Sequence, residues 1–113
     1  MSRPPVLDLD HLARYTAADE ALEAELFALF GQQAQTCLAR MAGTDDGEAF
    51  KAAAHTLKGA ARGIGAMALG EACAHAEARP LQAEAIGRVR DGVQEILARI
   101  EQILAERARA SGP

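Results

Sequence analysis

A histidine lies among basic residues and a glycine at spacings that place them all on one face of a helix. Lys58 and Gly59 follow His55 by three and four residues, Lys51 precedes it by four, and Arg62 follows it by seven. Residues at these spacings are neighbours on a helix surface. An imidazole can act as a nucleophile near neutral pH, and a glycine beside it leaves bare backbone that another protein's atoms can approach. The pattern indicates a nucleophilic histidine on a basic, accessible surface.

The predicted helix around His55 directs this histidine away from the core. Its apolar stripe runs from Phe50 through Leu57 to Ile64, and at about 100° per residue His55 points roughly 160° from that stripe. The simplest alternative is an accidental surface histidine. A solvated helix face usually mixes charges of both signs, whereas this face concentrates cations in a chain of net charge −4. The clustering therefore favours a functional histidine.

A carboxylate is predicted to lie beside the histidine. Two antiparallel helices that turn near residue 66 bring residues level when their numbers sum to about 132, which pairs His55 with Glu77. That carboxylate could accept a hydrogen bond from Nδ1–H, fix the tautomer and leave Nε2 as the outward nucleophile. The alternative is an ordinary solvent carboxylate, because a slip of one or two residues would separate the pair. Gly63 and Gly65 are predicted to end the helix and turn the chain.

The N-terminal half of the chain reads as an arm followed by helices. Residues 1–6 form a loose arm, a short helix runs from about Leu7 to Tyr15, and Thr16 and Asp19 offer caps for a longer one. The apolar stripe of that longer helix is Leu22, Leu26, Leu29, Phe30, Gln33, Cys37, Leu38 and Met41. A polar turn at 43–47 separates it from the helix of His55, which begins near Asp46 or Glu48. The core stripe of that helix is Phe50, Ala53, Ala54, Leu57, Ala61 and Ile64.

The C-terminal half contributes two more helices. One covers about Ala66 to Arg79 with Leu69, Ala72, Cys73 and Ala76 inward, and Pro80 ends it or begins the next. The last helix carries Leu81, Ile86, Val89, Val93, Ile96, Leu97, Ile100, Ile103 and Leu104. Residues 108–113 are predicted to be a disordered tail. The fold expected is an all-α antiparallel four-helix bundle with a short additional N-terminal helix, in one domain over residues 1–113.

Composition excludes several classes of function. The negative net charge argues against nucleic acid as a ligand. No signal peptide or run of eighteen apolar residues occurs, so a cytoplasmic protein without a membrane association is expected. Cys37 and Cys73 read as small buried hydrophobes. A metal site from Cys73 and His75 is disfavoured, because residues two apart diverge on a helix and no third ligand is near.

The segment AHTLKGAARGIG, residues 54–65, resembles the signature A-H-T-L-K-G-x-x-x-x-x-G of histidine-containing phosphotransfer (HPt) domains, which act in multistep two-component phosphorelays. The similarity continues through LGEACAHAE at 69–77 and LDLDHLARYTAADEALEAELFALF at 7–30, so it covers nearly the whole chain.

The resemblance implies a role for each matching residue. His55 would be phosphorylated, Lys58 would help to hold the phosphoryl oxygens, and Gly59 would admit the partner's active site. Gly65 matches the later glycine of the pattern. Glu77 stands where phosphotransfer domains of chemotaxis-type kinases have a glutamate that hydrogen-bonds the histidine, and where other members have glutamine.

The expected function is that of a phosphocarrier. His55 would accept a phosphoryl group from a receiver-domain phospho-aspartate and pass it to another receiver domain; the partners are response-regulator receiver domains, a hybrid histidine kinase, or both. The chain would be a monomer without an intrinsic cofactor, with Mg²⁺ on the receiver. No autonomous kinase activity is expected, because GxxxxGK[ST] is absent. Lys51, Arg62, Leu12 and Leu69 are candidate docking residues, and Arg62 departs from the small residue that many members carry, which could tune partner choice.

Three other functions fit part of the sequence. A structural or oligomerising bundle suits the heptad-like last helix but leaves the basic face around His55 unexplained. A module that docks on receivers without accepting phosphate should lack the histidine. The dimerisation helices of a histidine kinase are disfavoured, because such kinases typically follow the histidine with an acidic residue and this chain has LKG at 57–59.

Overall fold

The protein is an all-α bundle of four helices with one short helix added at its N-terminal side. The computed structural model describes residues 5–112. The helices are α1 (Leu9–Thr16), α2 (Glu20–Gly43), α3 (Gly47–Ile64), α4 (Met67–Glu77) and α5 (Ala83–Ala110). Helices α2 to α5 form a square in which each lies beside its two neighbours, the backbones of the diagonal pairs are farther apart, and α1 packs against α2 and α3. This architecture confirms the predicted fold class.

Short connections between the long helices make neighbours antiparallel. The predicted loose arm at 1–6 lies mostly outside the described residues; Pro5 and Val6 are described and are not helical. None of the helices in residues 5–112 is long and apolar enough to span a bilayer.

Aspartates begin the first three helices. Asp8, Asp19 and Asp46 each precede a helix, and the side chain of each accepts a hydrogen bond from a backbone N–H in the first turn. Such caps typically stabilise a helix by about 1 kcal/mol. Asp19 and Asp46 confirm the predicted starts. Thr16 is not a cap: it belongs to the last turn of α1, and its hydroxyl donates to the Glu23 carboxylate at 2.7 Å.

The predicted core face of α2 was correct at Phe30, Cys37 and Met41 but wrong at three other positions. Leu29 is 62% exposed, and Leu22 and Gln33 are also exposed. The face that packs inward consists of Glu23, Phe27, Phe30, Ala34, Cys37 and Met41. Apolar residues occur all round α2, so two stripes compete in the sequence, and contact with α3 and α5 selects the one with both phenylalanines inward.

The core face of α3 was predicted correctly in full. The buried residues are Phe50, Ala53, Ala54, Leu57, Ala61 and Ile64. This helix has a polar face opposite its apolar stripe, so periodicity alone sets its rotation. On α4, Leu69, Cys73 and Ala76 are buried as predicted, and Ala72 is half-buried.

The last helix differs from its prediction at both ends. Leu81 lies in the loop after α4, 42% exposed, with a left-handed φ of 70°. Pro80 follows the end of α4 and does not begin α5. At the other end α5 continues to Ala110, so residues 108–110 are helical and not the disordered tail that was predicted. Residue 113 lies outside the described part of the chain.

A buried ion pair anchors the C-terminal turns of α5. Arg107 donates to Glu23 of α2 at 2.6 Å, and the Glu23 side chain is 3% exposed. Thr16 of α1 donates to the other carboxylate oxygen of Glu23. A buried carboxylate must be paired to be tolerated, so this network joins α1, α2 and α5 in one register.

Candidate functional site

His55 lies at the middle of α3 on the surface of the bundle. Its side chain is 71% exposed, and the residues before and after it on the core side, Ala54 and Leu57, are fully buried. The helix therefore presents the imidazole to solvent while its opposite face fixes the helix in the core. The outward direction predicted from the helical wheel is confirmed.

Glu77 joins His55 and Lys58. Its Oε2 lies 3.4 Å from His55 Nδ1, a direct contact that is longer than the usual range of about 2.7–3.2 Å for an N–H···O hydrogen bond. Its Oε1 lies 2.5 Å from Lys58 Nζ, a contact best described as an ion pair because Oε1 lacks a well-aligned donor. The register that pairs residues 55 and 77 across the α3–α4 hairpin is thus confirmed. With Nδ1 turned to the carboxylate, the other ring nitrogen, Nε2, faces outward.

Contacts with Lys58 and His55 keep Glu77 ionised. Partial burial of the Glu77 carboxyl raises its pKa by desolvation, but the close contact with the Lys58 ammonium group, and to a lesser degree the contact with His55, outweighs this and holds the pKa below its ordinary value. The carboxylate is therefore charged at neutral pH and can stabilise positive charge on the imidazole.

The two cysteines are buried and do not join the site. Cys37 and Cys73 are free thiols in the core. Burial raises the pKa of the Cys73 thiol to about 12, so it is protonated and a poor nucleophile. This agrees with their predicted role as small hydrophobes.

The three glycines after His55 have two different roles. Gly65 has a φ of 92° and ends α3, and a Cβ there would lie 2.7 Å from the backbone oxygen of Asp8. Asp8 in turn donates its N–H to the Gly65 carbonyl at 2.9 Å, so this close approach needs glycine. Gly59 and Gly63 are helical and exposed, and a Cβ at either would meet nothing within 4 Å. The predicted helix-ending role holds for Gly65 but was wrong for Gly63.

Two further basic residues flank His55. Lys51 and Arg62 are exposed on α3, one turn before and two turns after the histidine. Lys58 is only 19% exposed because its ammonium group turns to Glu77. The face predicted from spacing is therefore present, with Lys58 drawn toward α4.

An apolar groove lies beside the site, between α1, α2 and α3. It has a volume of about 440 Å³, and Gly63 and Ala60 form its α3 side. Tyr15, 71% exposed, and Leu29 stand on its other sides. Sequence reasoning missed both residues as surface groups, because Leu29 was assigned to the core stripe of α2 and Tyr15 to the end of α1.

The predicted docking residues Leu12 and Leu69 are core residues. Their exposures are 1% and 3%. Leu12 forms part of the floor of the groove described above. A direct partner contact was predicted for both, and burial leaves neither with enough surface to make one in the free protein. Both were chosen as apolar residues on neighbouring helices, without knowledge of which face each helix turns inward.

A second groove, between α4 and α5, does not contain the predicted nucleophile. It encloses about 380 Å³ and is lined by Leu69, Arg88, Asp91 and Gly92 among others. His55 instead stands on open surface, which suits reaction with a group presented by another protein. Within residues 5–112 no three His, Cys, Asp or Glu side chains are grouped so that they could hold a metal ion.

Comparisons with known proteins agree on one family. A family model described as the Hpt domain matches residues 25–106, which include all of α3 and α4. A solved structure, the histidine phosphotransferase ShpA from Caulobacter crescentus, superposes with a TM-score of 0.78 at 34% sequence identity, covering 95% of this chain and 98% of that one. A search of curated proteins found no match. The chain belongs to the family of histidine phosphotransfer (Hpt) domains, the phosphocarriers of two-component phosphorelays.

Proposed function

We propose that His55 is the residue that carries the phosphoryl group. The observation that supports this most directly is the arrangement around its ring: Nδ1 faces the ionised Glu77, and the side chain is 71% exposed beside the bare backbone of Gly59. Nε2 is thereby left with its lone pair directed toward a partner.

The transfer step follows from this geometry. Nε2 attacks the phosphorus of an aspartyl phosphate on a receiver domain, the N–P bond forms, and the P–O bond to the aspartate breaks with its electron pair remaining on the carboxylate. The ring, now substituted at Nε2 and protonated at Nδ1, gains positive charge that Glu77 stabilises. The reverse sequence on a second receiver returns the phosphoryl group. Such transfer depends on positioning and charge neutralisation.

Lys58 is placed to assist after the phosphoryl group arrives. In the free protein its ammonium group is bound to Glu77, one helical turn from His55. A phosphoryl group on Nε2 carries a denser negative charge than one carboxylate oxygen, so Lys58 would turn toward it or bridge both. We expect Lys58→Met to slow transfer and to shorten the lifetime of the phosphohistidine.

The apolar groove is the surface on which we propose that a receiver domain docks. Gly63, one helical turn after Gly59, lines its α3 side, and the exposed side chains of Tyr15 and Leu29 line its other sides. Leu29→Asn should raise the receiver concentration needed for half-maximal transfer. Leu104→Asn is the control, because Leu104 is also an exposed leucine but lies on α5, outside the groove.

The remaining properties of the carrier are also proposals. The protein would act as a monomer in the cytoplasm, where two free thiols are stable. It would have no kinase activity and no cofactor of its own, and Mg²⁺ would be held by the receiver. Its partners would be response-regulator receiver domains, those of hybrid histidine kinases among them.

A labelling experiment tests the assignment of His55. The protein is incubated with phosphorylated receiver domains, and label that is acid-labile and alkali-stable is followed on the chain. Wild type should acquire it and His55→Gln should not, whereas His75→Gln, a control on α4, should be labelled normally. Label that persists in His55→Gln would overturn the assignment. A wild-type protein that binds the receiver but gains no label would be a docking module instead.

A further inference from the structure

The side chain of Arg62 lies against Gly70 of α4, where the absence of a Cβ leaves room for it. A Cβ added to Gly70 would lie 3.0 Å from Cγ and 3.4 Å from Nε of Arg62. These distances mean that the stem of Arg62 lies directly on the bare backbone of α4. Contact along the stem restricts its rotamers, so the guanidinium is held at the surface instead of sampling many positions.

Within residues 5–112 the guanidinium of Arg62 has neither a hydrogen-bond partner nor an ion-pair partner. Lys58 on the same face is instead bound to Glu77. An arginine that is oriented by packing and left unpaired retains five donors in a fixed planar fork. That arrangement suits a carboxylate supplied from outside.

The position of Gly70 also determines how far the Arg62 side chain lies from the reacting atom of His55. Gly70 is level with Arg62 across the hairpin, as Glu77 is level with His55, because both pairs of numbers have the same sum. Arg62 follows His55 by seven residues, or about 10.5 Å along the helix axis. The Arg62 stem lies against Gly70 of α4, which is itself about two helical turns from the level of Glu77 and His55, and Arg62 is exposed there.

We propose that Arg62 is a specificity-determining residue that binds a carboxylate on the surface of the receiver domain, and that Gly70 is its positioning residue. The proposal rests on the phosphotransfer function proposed above. Because the contact is remote from phosphorus, it acts on the association of the two proteins and not on the transfer step. It gives α4 a part in partner choice, separate from the apolar groove on the α2 side.

Transfer kinetics separate these effects. The donor is whichever receiver domain, from a panel loaded with acetyl phosphate, labels the wild-type protein fastest, and rates are measured against carrier concentration to give KM and the maximal rate. Arg62→Met should raise KM roughly threefold to tenfold with the maximal rate unchanged. Arg62→Lys should restore part of the affinity, since it keeps the charge but not the fork. Arg90→Met, which removes an exposed arginine of α5, is the control.

Gly70→Ala tests the contact between Arg62 and α4 without removing the charge of Arg62. The added methyl group displaces the Arg62 stem, so KM should rise by about twofold to threefold, while thermal stability should be kept or increased. In an Arg62→Met background the same substitution should have no further effect on KM. An equal rise in both backgrounds would refute the positioning role, because Gly70 would then act without Arg62.

The proposal and the function on which it rests fail differently. If His55 in the wild-type protein accepts no label, the phosphotransfer function fails. If the wild type is labelled normally and Arg62→Met has the wild-type KM at low and high salt, the role of Arg62 alone is refuted.

Discussion

Gly59 offers a test in which stability and activity should move in opposite directions. It is an exposed residue in the interior of α3, and a Cβ there would meet nothing within 4 Å. Glycine in a helix interior costs about 0.8–1 kcal/mol relative to alanine. Gly59→Ala should therefore stabilise the protein by about 0.8 kcal/mol, or roughly 3–6 °C in Tm for a domain of this size. Gly59→Gln should stabilise it by about 0.5 kcal/mol, since glutamine is a somewhat weaker helix former.

Phosphotransfer should show a different order. The surface beside His55 is open because Gly59 has no side chain, and a receiver must approach it closely enough for in-line attack. A displacement of about 1 Å at a reacting centre can cost 10²-fold in rate. Gly59→Gln should slow transfer by about that factor, and Gly59→Ala by less than about tenfold. Thermal unfolding followed by circular dichroism gives the stabilities, and single-turnover transfer from a phosphorylated receiver gives the rates.

Gly87 supplies the matched control. It lies in the interior of α5, a Cβ there would also meet nothing within 4 Å, and α5 is diagonally across the bundle from α3. Gly87→Gln should raise stability as Gly59→Gln does and leave transfer unchanged. If both variants transfer at the wild-type rate, the account of Gly59 as an approach surface is refuted. If both slow transfer equally, helix rigidity is the cause and not access.

Three further predictions concern stability. Glu77→Gln should destabilise the protein by about 1 kcal/mol at pH 7. Because the folded-state pKa of Glu77 is lowered, this contribution is complete above the unfolded-state pKa and is lost as the pH falls through the folded-state pKa, so the difference between variant and wild type in urea unfolding should shrink steadily as the pH is lowered through the acid range. Gly65→Ala should cost at least about 2 kcal/mol, since it combines a left-handed φ with a clash against the Asp8 carbonyl, and a wild-type Tm would contradict this. Arg107→Met should cost about 3 kcal/mol by leaving Glu23 buried without its cation, while adding Glu23→Leu should recover most of that loss in chemical unfolding; additive losses would show that the pair is not coupled.

The sequence predicted well wherever a feature depends on residues close together in the chain. The rotation of α3 and the outward direction of His55 follow from the 3.6-residue period. The caps at Asp19 and Asp46 follow from local hydrogen bonding. Even the contact between His55 and Glu77 is nearly local, because a tight turn fixes how a two-helix hairpin pairs its residues.

Prediction failed where two faces or two conformations were equally acceptable to the local sequence. Leu29 and Phe30 both fit an apolar stripe on α2, and only packing against α3 and α5 buries Phe30 and exposes Leu29. Gly63 and Gly65 look alike in sequence. Only the approach of Asp8 shows that Gly65 turns the chain, whereas Gly63 remains in the helix.

Residues far apart in the chain account for the rest. The sequence of the last turn of α5 is polar and predicts a disordered tail. In the structure Arg107 is hydrogen-bonded to Glu23, 84 residues earlier in the chain, and this contact keeps the end of α5 helical. The stem of Arg62 lies over Gly70 because α3 and α4 approach closely at that level. By itself the sequence determined the helices, the family pattern and a histidine directed to solvent, since these need only periodicity and nearest neighbours. The tertiary structure decided which apolar face is covered, which glycine turns the chain and where each cation rests, since these depend on what the rest of the chain places opposite them.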